Sequence, residues 1–183
     1  MAYNMKDVFY LDTTINTGTS TGDGIATLDL SSYVDPIARG RSKGQGLAVY
    51  KVQWDVMDVG DNAPVPAAST GTFRAGLISF SGVPAAAVGS ANLSADILKA
   101  GNDLMVSGFD FWAGGTAAGD PAPRVFLEPS PEVPYIVVRD QLLLMVDVDT
   151  AMSTNSLINC RLECAIVTLD QATLNQLLRT QTV

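Results

Sequence analysis

Between Leu157 and Leu169 the chain is LINCRLECAIVTL, a stretch in which apolar and polar residues alternate. The polar positions are Asn159, Arg161 and Glu163. The apolar positions between and beside them are Ile158, Cys160, Leu162, Cys164 and Ile166. Because successive side chains of a strand point to opposite faces, a period of two predicts a strand with one buried face.

Two further stretches, Ala48 to Met57 and Ile136 to Val148, alternate in the same way. All three run past the usual strand of about 5–6 residues. Glycine- and proline-rich turns separate them from shorter strand-like segments, and a bend is expected near Asp140. The predicted strands span about residues 7–11, 24–31, 46–58, 72–80, 103–109, 124–128, 135–148 and 156–169.

Many strands without alternating helices predict an all-β fold, an antiparallel eight-stranded β-sandwich. A single jelly roll over residues 1–183 suits eight such strands. An immunoglobulin fold is less well supported, because the Cys…Trp…Cys spacing is absent.

One or two short helices are expected. The first is at Ser90 to Ala100, with Ser94 as its cap and Gly101 as its end. The second is C-terminal, at about residues 170–179, with Asp170 as N-cap. Its leucines at helical spacing are Leu174, Leu177 and Leu178.

The charge of the chain argues against direct binding to nucleic acid. The formal net charge is −8 and charged residues make up only 16%, whereas phosphate binding needs clustered Lys and Arg. The only local basic group is Arg39, Arg41 and Lys43, for which a solvated loop is the favoured interpretation. The low fraction of charged residues has two explanations. Either much of the surface contacts other subunits, or the chain is simply a β-protein rich in small residues.

The chain has no histidine, which removes the usual general base and the commonest zinc ligand. Its two cysteines, Cys160 and Cys164, would lie about 13 Å apart along one strand. That distance is too long for a disulfide, so they are expected to be buried packing residues. We therefore expect no metal, no cofactor and no catalytic residue.

Paired carboxylates keep a histidine-free hydrolase open as a minor alternative. Asp147 and Asp149 share one strand face, whereas Asp55 and Asp110 are expected elsewhere. Calcium could bind Asp58, Asp61 and Asn62, or Asp110 and Asp120. Polar turn residues that bond their own backbone are the favoured explanation for these loops.

Phe109, Phe111 and Trp112 form an aromatic cluster before a glycine-rich loop. The cluster could contact sugar or another subunit, with core packing as the favoured alternative for the two phenylalanines. The leucine stripe could dock on a neighbour or pack on its own sandwich. The candidate interaction residues are Phe111, Trp112, Leu174, Leu177 and Leu178.

The eight strand-like segments, the long Gly46–Asp58 strand and the late Tyr135–Leu169 pair resemble a viral coat subunit. The chain is similar to single jelly-roll capsid proteins, especially the short major capsid proteins of tailless, membrane-containing icosahedral viruses of bacteria or archaea. It departs from capsid proteins that package single-stranded genomes, because it has no basic arm. In membrane-containing virions a vesicle separates the shell from the genome.

The resemblance implies a structural virion protein and not an enzyme. Its partners would be other capsid subunits in homo- or hetero-oligomeric rings, with an inner membrane or vertex protein as a further partner. Contacts would come from sheet edges, the 60–71 and 113–123 loops and the terminal arms. Assembly would take place in the host cytoplasm. The alternative function is a β-sandwich decoration, receptor-binding or glycan-binding module that uses Trp112.

Overall fold

The computed structural model describes residues 8–35, 43–79, 97–114 and 121–181. These residues form two antiparallel sheets packed face to face, followed by one α-helix. The all-β sandwich predicted from the alternating stretches is confirmed.

One sheet has four strands and the other has five, and in spatial order they are as follows. The strands of the first sheet are β1 (Val8–Asn16), β9 (Ser156–Asp170), β3 (Lys43–Asp58) and β7 (Tyr135–Val137). Those of the second are β2 (Gly22–Asp29), β8 (Gln141–Thr150), β4 (Thr70–Ile78), β5 (Met105–Gly114) and β6 (Ala122–Leu127). Without β6, which adds an edge strand beside β5, this is the strand order of a jelly roll.

The described residues form nine strands, one more than predicted, because the run from Tyr135 to Val148 is two strands. β7 pairs with β3 in one sheet and β8 pairs with β4 in the other. The chain passes between the sheets at residues 138–140, and the carbonyl of Asp140 accepts a hydrogen bond from Leu30 N at 2.7 Å. The expected bend near Asp140 is thus a crossing between layers.

β9 follows the predicted alternation over most of its length. Ile158, Cys160, Leu162 and Cys164 are fully buried between the sheets. The pattern fails at Ile166, which is 44% exposed. Ile166 lies beyond the last described residue pair of β1 and β9, which joins Val8 to Ala165.

The main core lies between the two sheets, and Trp54 on β3 connects them. Its Nε1 donates to Ser107 Oγ at 2.9 Å, and its ring stacks on Phe109 with centroids 5.3 Å apart. Fully burying one large apolar side chain contributes about 1.5–3 kcal/mol. Fully buried members of this core include Leu47, Leu77, Leu144, Ile158 and Leu162.

A second, smaller core covers part of the outer face of the five-stranded sheet. Gly76 and Gly108 are register partners on β4 and β5. A Cβ at Gly76 would lie 2.7 Å from Leu98 Cδ2, and one at Gly108 would overlap the ring of Phe126. The two glycines therefore let the turn around Leu98 and the Phe126 ring lie directly on the sheet.

The C-terminal helix, α1 (Gln171–Thr180), is confirmed, and its N-cap is Asp170 as predicted. Asp170 Oδ1 accepts from Thr173 N at 2.8 Å. Leu174 is fully buried against Gly44 of β3, where a Cβ would lie 2.6 Å from Leu174 Cδ2. Gln181, just after the helix, is also buried.

Several sequence predictions fall wholly or partly outside the described residues. They concern the terminal arms, Arg39 and Arg41, Asp120, most of the 113–123 loop and most of the helix at Ser90 to Ala100. The described end of that helix, residues 97–101, is a turn. In the described part of the chain no helix has the length and apolar character needed to span a membrane.

Candidate functional site

Two of the predicted interaction residues, Phe111 and Trp112, are neighbours on β5, and their side chains lie on opposite faces of the sheet. Phe111 is 5% exposed and stacks on Phe73, with ring centroids 5.1 Å apart. Trp112 is 45% exposed on the outer face of the five-stranded sheet. Phe111 is therefore a core residue, and only Trp112 of the two offers surface to a partner.

The three leucines lie at the opposite end of the sandwich from Trp112. Trp112 pairs with Thr72 near the start of β4, whereas the segment after α1 contacts Ser79 at its end. Leu174 is buried within this chain, and Leu177 and Leu178 are half-buried. The five predicted residues thus form no single surface, because strand β4 separates their two locations.

A shallow groove of about 250 Å³ runs across the outer face of the five-stranded sheet beside Trp112. Its polar lining comes from three neighbouring strands, which present Thr72 and Arg74, Asp110, and Asp147 and Asp149. These side chains meet because β8, β4 and β5 are adjacent in the sheet, although they are far apart in sequence.

One row of charged residues crosses all five strands of this sheet at the groove. Each member is the register partner of the next, from β2 at one edge to β6 at the other. In spatial order this charged row is Asp23, Asp147, Arg74, Asp110 and Arg124. Directly opposite side chains of neighbouring strands are close enough to interact, and the charges from Asp23 to Asp110 do so in neighbouring pairs.

Arg74 lies at the centre of the charged row. Its Nε and Nη2 donate to the two carboxylate oxygens of Asp110 at 2.6 and 3.0 Å. Its Nη1 donates to the Leu98 carbonyl at 3.2 Å, and its Cζ lies 4.7 Å from the centre of the Phe126 ring. The hydrogen bond that Arg74 donates to Asp110 raises the pKa of Arg74, so this guanidinium is a fixed cation.

Two carboxylates face each other at the β2 end of the row. Asp23 and Asp147 are register partners on β2 and β8. Burial raises the pKa of Asp23, and the charge and hydrogen bond of Asp147 raise it further. The groups that shift the pKa of Asp23 therefore disfavour its charged form, and among the described residues they include no cation.

The groove corrects one expectation about the carboxylates. Asp110 does not lie away from Asp147 and Asp149 but lines the same groove with them, because β4 alone separates β5 from β8. Asp55 is on the other sheet, as expected. Both oxygens of Asp110 are engaged by Arg74, which suits a structural ion pair better than an acid or nucleophile.

The loop residues considered as calcium ligands bond their own backbone. Asp58 Oδ1 accepts from Gly60 N at 2.7 Å, and Asp61 Oδ1 accepts from Ala63 N at 3.3 Å. Asn62 has a φ of 53°, a conformation that asparagine tolerates in turns. Over the described ranges, no three acidic or cysteine side chains converge as metal ligands.

The four-stranded sheet carries a second shallow groove of about 340 Å³ on its outer face. Arg161 there lies with its Cζ 4.1 Å from the centre of the Tyr10 ring. Asn159 donates to Asp55 Oδ2 at 3.3 Å. One hydrogen bond between lining side chains thus joins β9 to β3, and the Arg161–Tyr10 contact joins β9 to β1 beside the groove.

The two cysteines pack as predicted. Both thiols are free and buried in the main core. Burial raises the pKa of each, to about 12 for Cys164. Neither has the exposed, cation-rich surroundings that make a thiol reactive.

Sequence reasoning missed Arg74 as the centre of the charged row and Asp23 and Arg124 as its ends. A signal was present for Arg74 and Asp110, because each is a lone charge between apolar neighbours within a strand. Such a charge points away from the buried face. No signal in the chain indicated that the two would meet.

No family model matches the sequence, and neither does any curated protein. Among solved structures, the chain is similar to Merkel cell polyomavirus VP1 in complex with disialyllactose. That likeness has 10% identity and a TM-score of 0.43, and covers 91% of this chain and 98% of that chain. VP1 of the same virus in complex with GD1a oligosaccharide matches over the same shares with 10% identity and a TM-score of 0.34. Similarity at this level carries no argument about the function of this chain.

Proposed function

We propose that this chain is a structural virion protein, a capsid subunit that assembles into an icosahedral shell. The observation that carries the proposal is the strand order β1-β9-β3-β7 against β2-β8-β4-β5-β6. Shell-forming viral subunits are one of the established uses of the jelly roll. Its role in the virion is mechanical and not catalytic.

The edges of the two sheets support an assembling role. Within the described residues, β1 and β7 are the edges of one sheet and β2 and β6 those of the other. β1 has 9 residues and β2 has 8, so both offer long surfaces to a neighbour. An exposed edge strand is a template for contact with another chain.

The finer parts of the proposal rest on the resemblance of the sequence. We infer one jelly-roll domain over residues 1–183, which forms rings with itself or with a larger capsid chain. The virion would be tailless, with an inner membrane, and its host a bacterium or an archaeon. Direct contact with the genome is not expected at a net charge of −8.

The state of association of the purified full chain tests the proposal. Size-exclusion chromatography with light scattering should give rings or shells whose mass is a multiple of 19.3 kDa. Electron micrographs of the same fraction should show those particles. A 19.3 kDa monomer at every protein and salt concentration would contradict self-assembly.

A glycan-binding module is the second candidate, and the exposed ring of Trp112 beside the groove favours it. A sugar could stack on the indole while its hydroxyls bond Thr72 and Asp149. Aromatic faces with a few convergent polar groups are typical of such sites.

Calorimetric titration with neutral oligosaccharides tests this candidate in the wild type and in variants of Trp112, and the tryptophan fluorescence of the wild type gives a second readout. Binding should be lost in Trp112→Ala and kept in part in Trp112→Phe, which retains an aromatic face. No change in fluorescence or in a calorimetric titration with any sugar would remove the glycan candidate and leave the capsid proposal intact.

A further inference from the structure

The two ends of the charged row lie at the two edges of one sheet and carry opposite charge. Asp23 is exposed on β2, which pairs only with β8 among the described strands. Arg124 is exposed on β6, which pairs only with β5 in the same part of the chain. Each edge therefore presents the charge that the other edge lacks.

At the acidic end of the row the charged form of Asp23 is disfavoured within one copy of the chain, whereas Asp147 also interacts with the Arg74 cation. Asp23 faces Asp147, and the effects acting on its carboxyl are burial and this second carboxylate. Arg74, the nearest cation along the row, is hydrogen-bonded to Asp110 on its far side. A cation placed outside β2 would favour the charged form of Asp23.

At the basic end of the charged row, Arg124 is a cation that forms no ion pair within the described residues. Arg124 is the register partner of Asp110, but both oxygens of that carboxylate accept from Arg74. The guanidinium of Arg124 is available to a carboxylate outside the chain.

We propose that copies of this chain associate edge to edge through the five-stranded sheet, with Asp23 of one copy against Arg124 of the next. The inference rests on the proposed assembling function and names one of its interfaces. The charged row would then continue from copy to copy. Because the two edges differ, the contact is heterologous and repeats in a ring or an open chain.

The contact is made by side chains and not by a continuous backbone ladder. Pro123 lies within β6 and Pro121 just before it, and neither can donate a backbone hydrogen bond. Val125, which is 43% exposed beside Arg124, adds apolar surface to the same edge. An edge of this kind selects a partner by charge and resists indiscriminate strand pairing.

Charge reversal tests the interface, with association measured by analytical ultracentrifugation of the full chain. Asp23→Arg and Arg124→Asp should each raise the dissociation constant about tenfold or more, because close charge pairs couple by at least that amount. Raising the salt concentration should weaken the association of the wild type and should have less effect on the association of either variant.

The decisive measurement mixes the two single variants. Each variant places like charges in contact when it meets its own copies. In the mixture, the two substituted side chains meet each other with opposite charges, and the two native side chains, Asp23 and Arg124, meet each other as in the wild type. Association should therefore return in the mixture, which also shows that both variants are folded.

The matched control reverses the charge of two exposed side chains in a turn that belongs to neither edge strand. The control variants are Lys99→Glu and Asp103→Arg. Both should leave association unchanged, because neither position belongs to β2 or β6.

The outcomes separate this interface from the function on which it rests. Oligomers that persist unchanged in both single variants would overturn the edge contact while the assembling role stands. Weaker association in both variants that does not recover on mixing would also overturn it. A wild-type chain that stays monomeric would overturn both.

Discussion

Ser79 Oγ donates a hydrogen bond of 3.1 Å to Oε1 of Gln181, a residue 102 positions later in the chain. The same side-chain amide donates to the Ile136 carbonyl at 2.6 Å and accepts from Val138 N at 3.2 Å. Ser79 follows a strand of the five-stranded sheet, whereas Ile136 belongs to the four-stranded sheet. Gln181 thus connects both sheets at the end where α1 packs.

Gln181→Leu should lower the free energy of unfolding by about 1–3 kcal/mol, because it leaves buried polar partners without a hydrogen bond. The backbone carbonyl of Gln181, which accepts from Arg139, is unaffected by the change. Urea unfolding curves measure the loss. Gln176→Leu on the exposed face of the same helix is the control and should shift stability by less than about 0.5 kcal/mol. Equal effects at both positions would contradict a connecting role for Gln181.

Gly108→Ala should destabilise the protein by about 1–3 kcal/mol, since the added methyl group overlaps the Phe126 ring. Displacing this ring also disturbs its contact with Arg74. Gly101→Ala is a matched control, because a Cβ there meets nothing within 4 Å. Thermal unfolding of the two variants should differ accordingly. A Gly108→Ala variant as stable as the wild type would mean that Phe126 moves without cost.

The features that sequence patterns predicted correctly are local ones. The alternation from Ile158 to Cys164 depends only on which face of one strand is buried. The C-terminal helix follows from Asp170 as cap and Leu174 on the buried stripe. Such a pattern extends over only a few turns of a helix or a few residues of a strand, so it can be recognised from one segment of the sequence.

The features that were missed depend on which strands are neighbours. The chain changes sheet after Val137, and β8 is buried on both faces from Leu142 to Val146, so the sequence pattern located a bend near Asp140 but not two strands in different sheets. The charged row draws each member from a different strand, and only the strand order brings Arg74 between Asp110 and Asp147. Non-local pairing is not encoded in any one segment.

The Arg74–Asp110 pair should show a coupling energy of about 1–2 kcal/mol in a double-mutant cycle with Arg74→Met and Asp110→Asn. The pair is bidentate, but both side chains are partly exposed, which limits its contribution. The cycle is measured by urea unfolding at low and moderate salt. A coupling energy near zero would mean that Leu98 and Phe126, and not Asp110, hold Arg74 in place.

Stability should fall as the pH rises from about 10 to about 12, because of Tyr135. Burial raises the pKa of this phenol to about 12 in the folded protein, whereas an unfolded tyrosine ionises near pH 10. Below about pH 10 the phenol is protonated in both the folded and the unfolded state, so its contribution to the free energy of unfolding is complete. Between about pH 10 and pH 12 only the unfolded state loses the proton, so stability decreases.

The full loss of stability from this phenol is about 2–3 kcal/mol at most, since each pKa unit is worth about 1.36 kcal/mol. Tyr135→Phe should remove the part of the alkaline dependence that comes from this phenol, while the buried thiols of Cys160 and Cys164, whose pKa values are also raised, continue to lower stability in both proteins. The variant also loses the 2.9 Å bond to the Asp103 carbonyl. Unfolding curves of the two proteins between about pH 8 and pH 12 measure the difference, with Tyr10→Phe, an exposed tyrosine, as the control. Parallel curves for wild type and Tyr135→Phe over that range would show that the phenol titrates as in the unfolded chain.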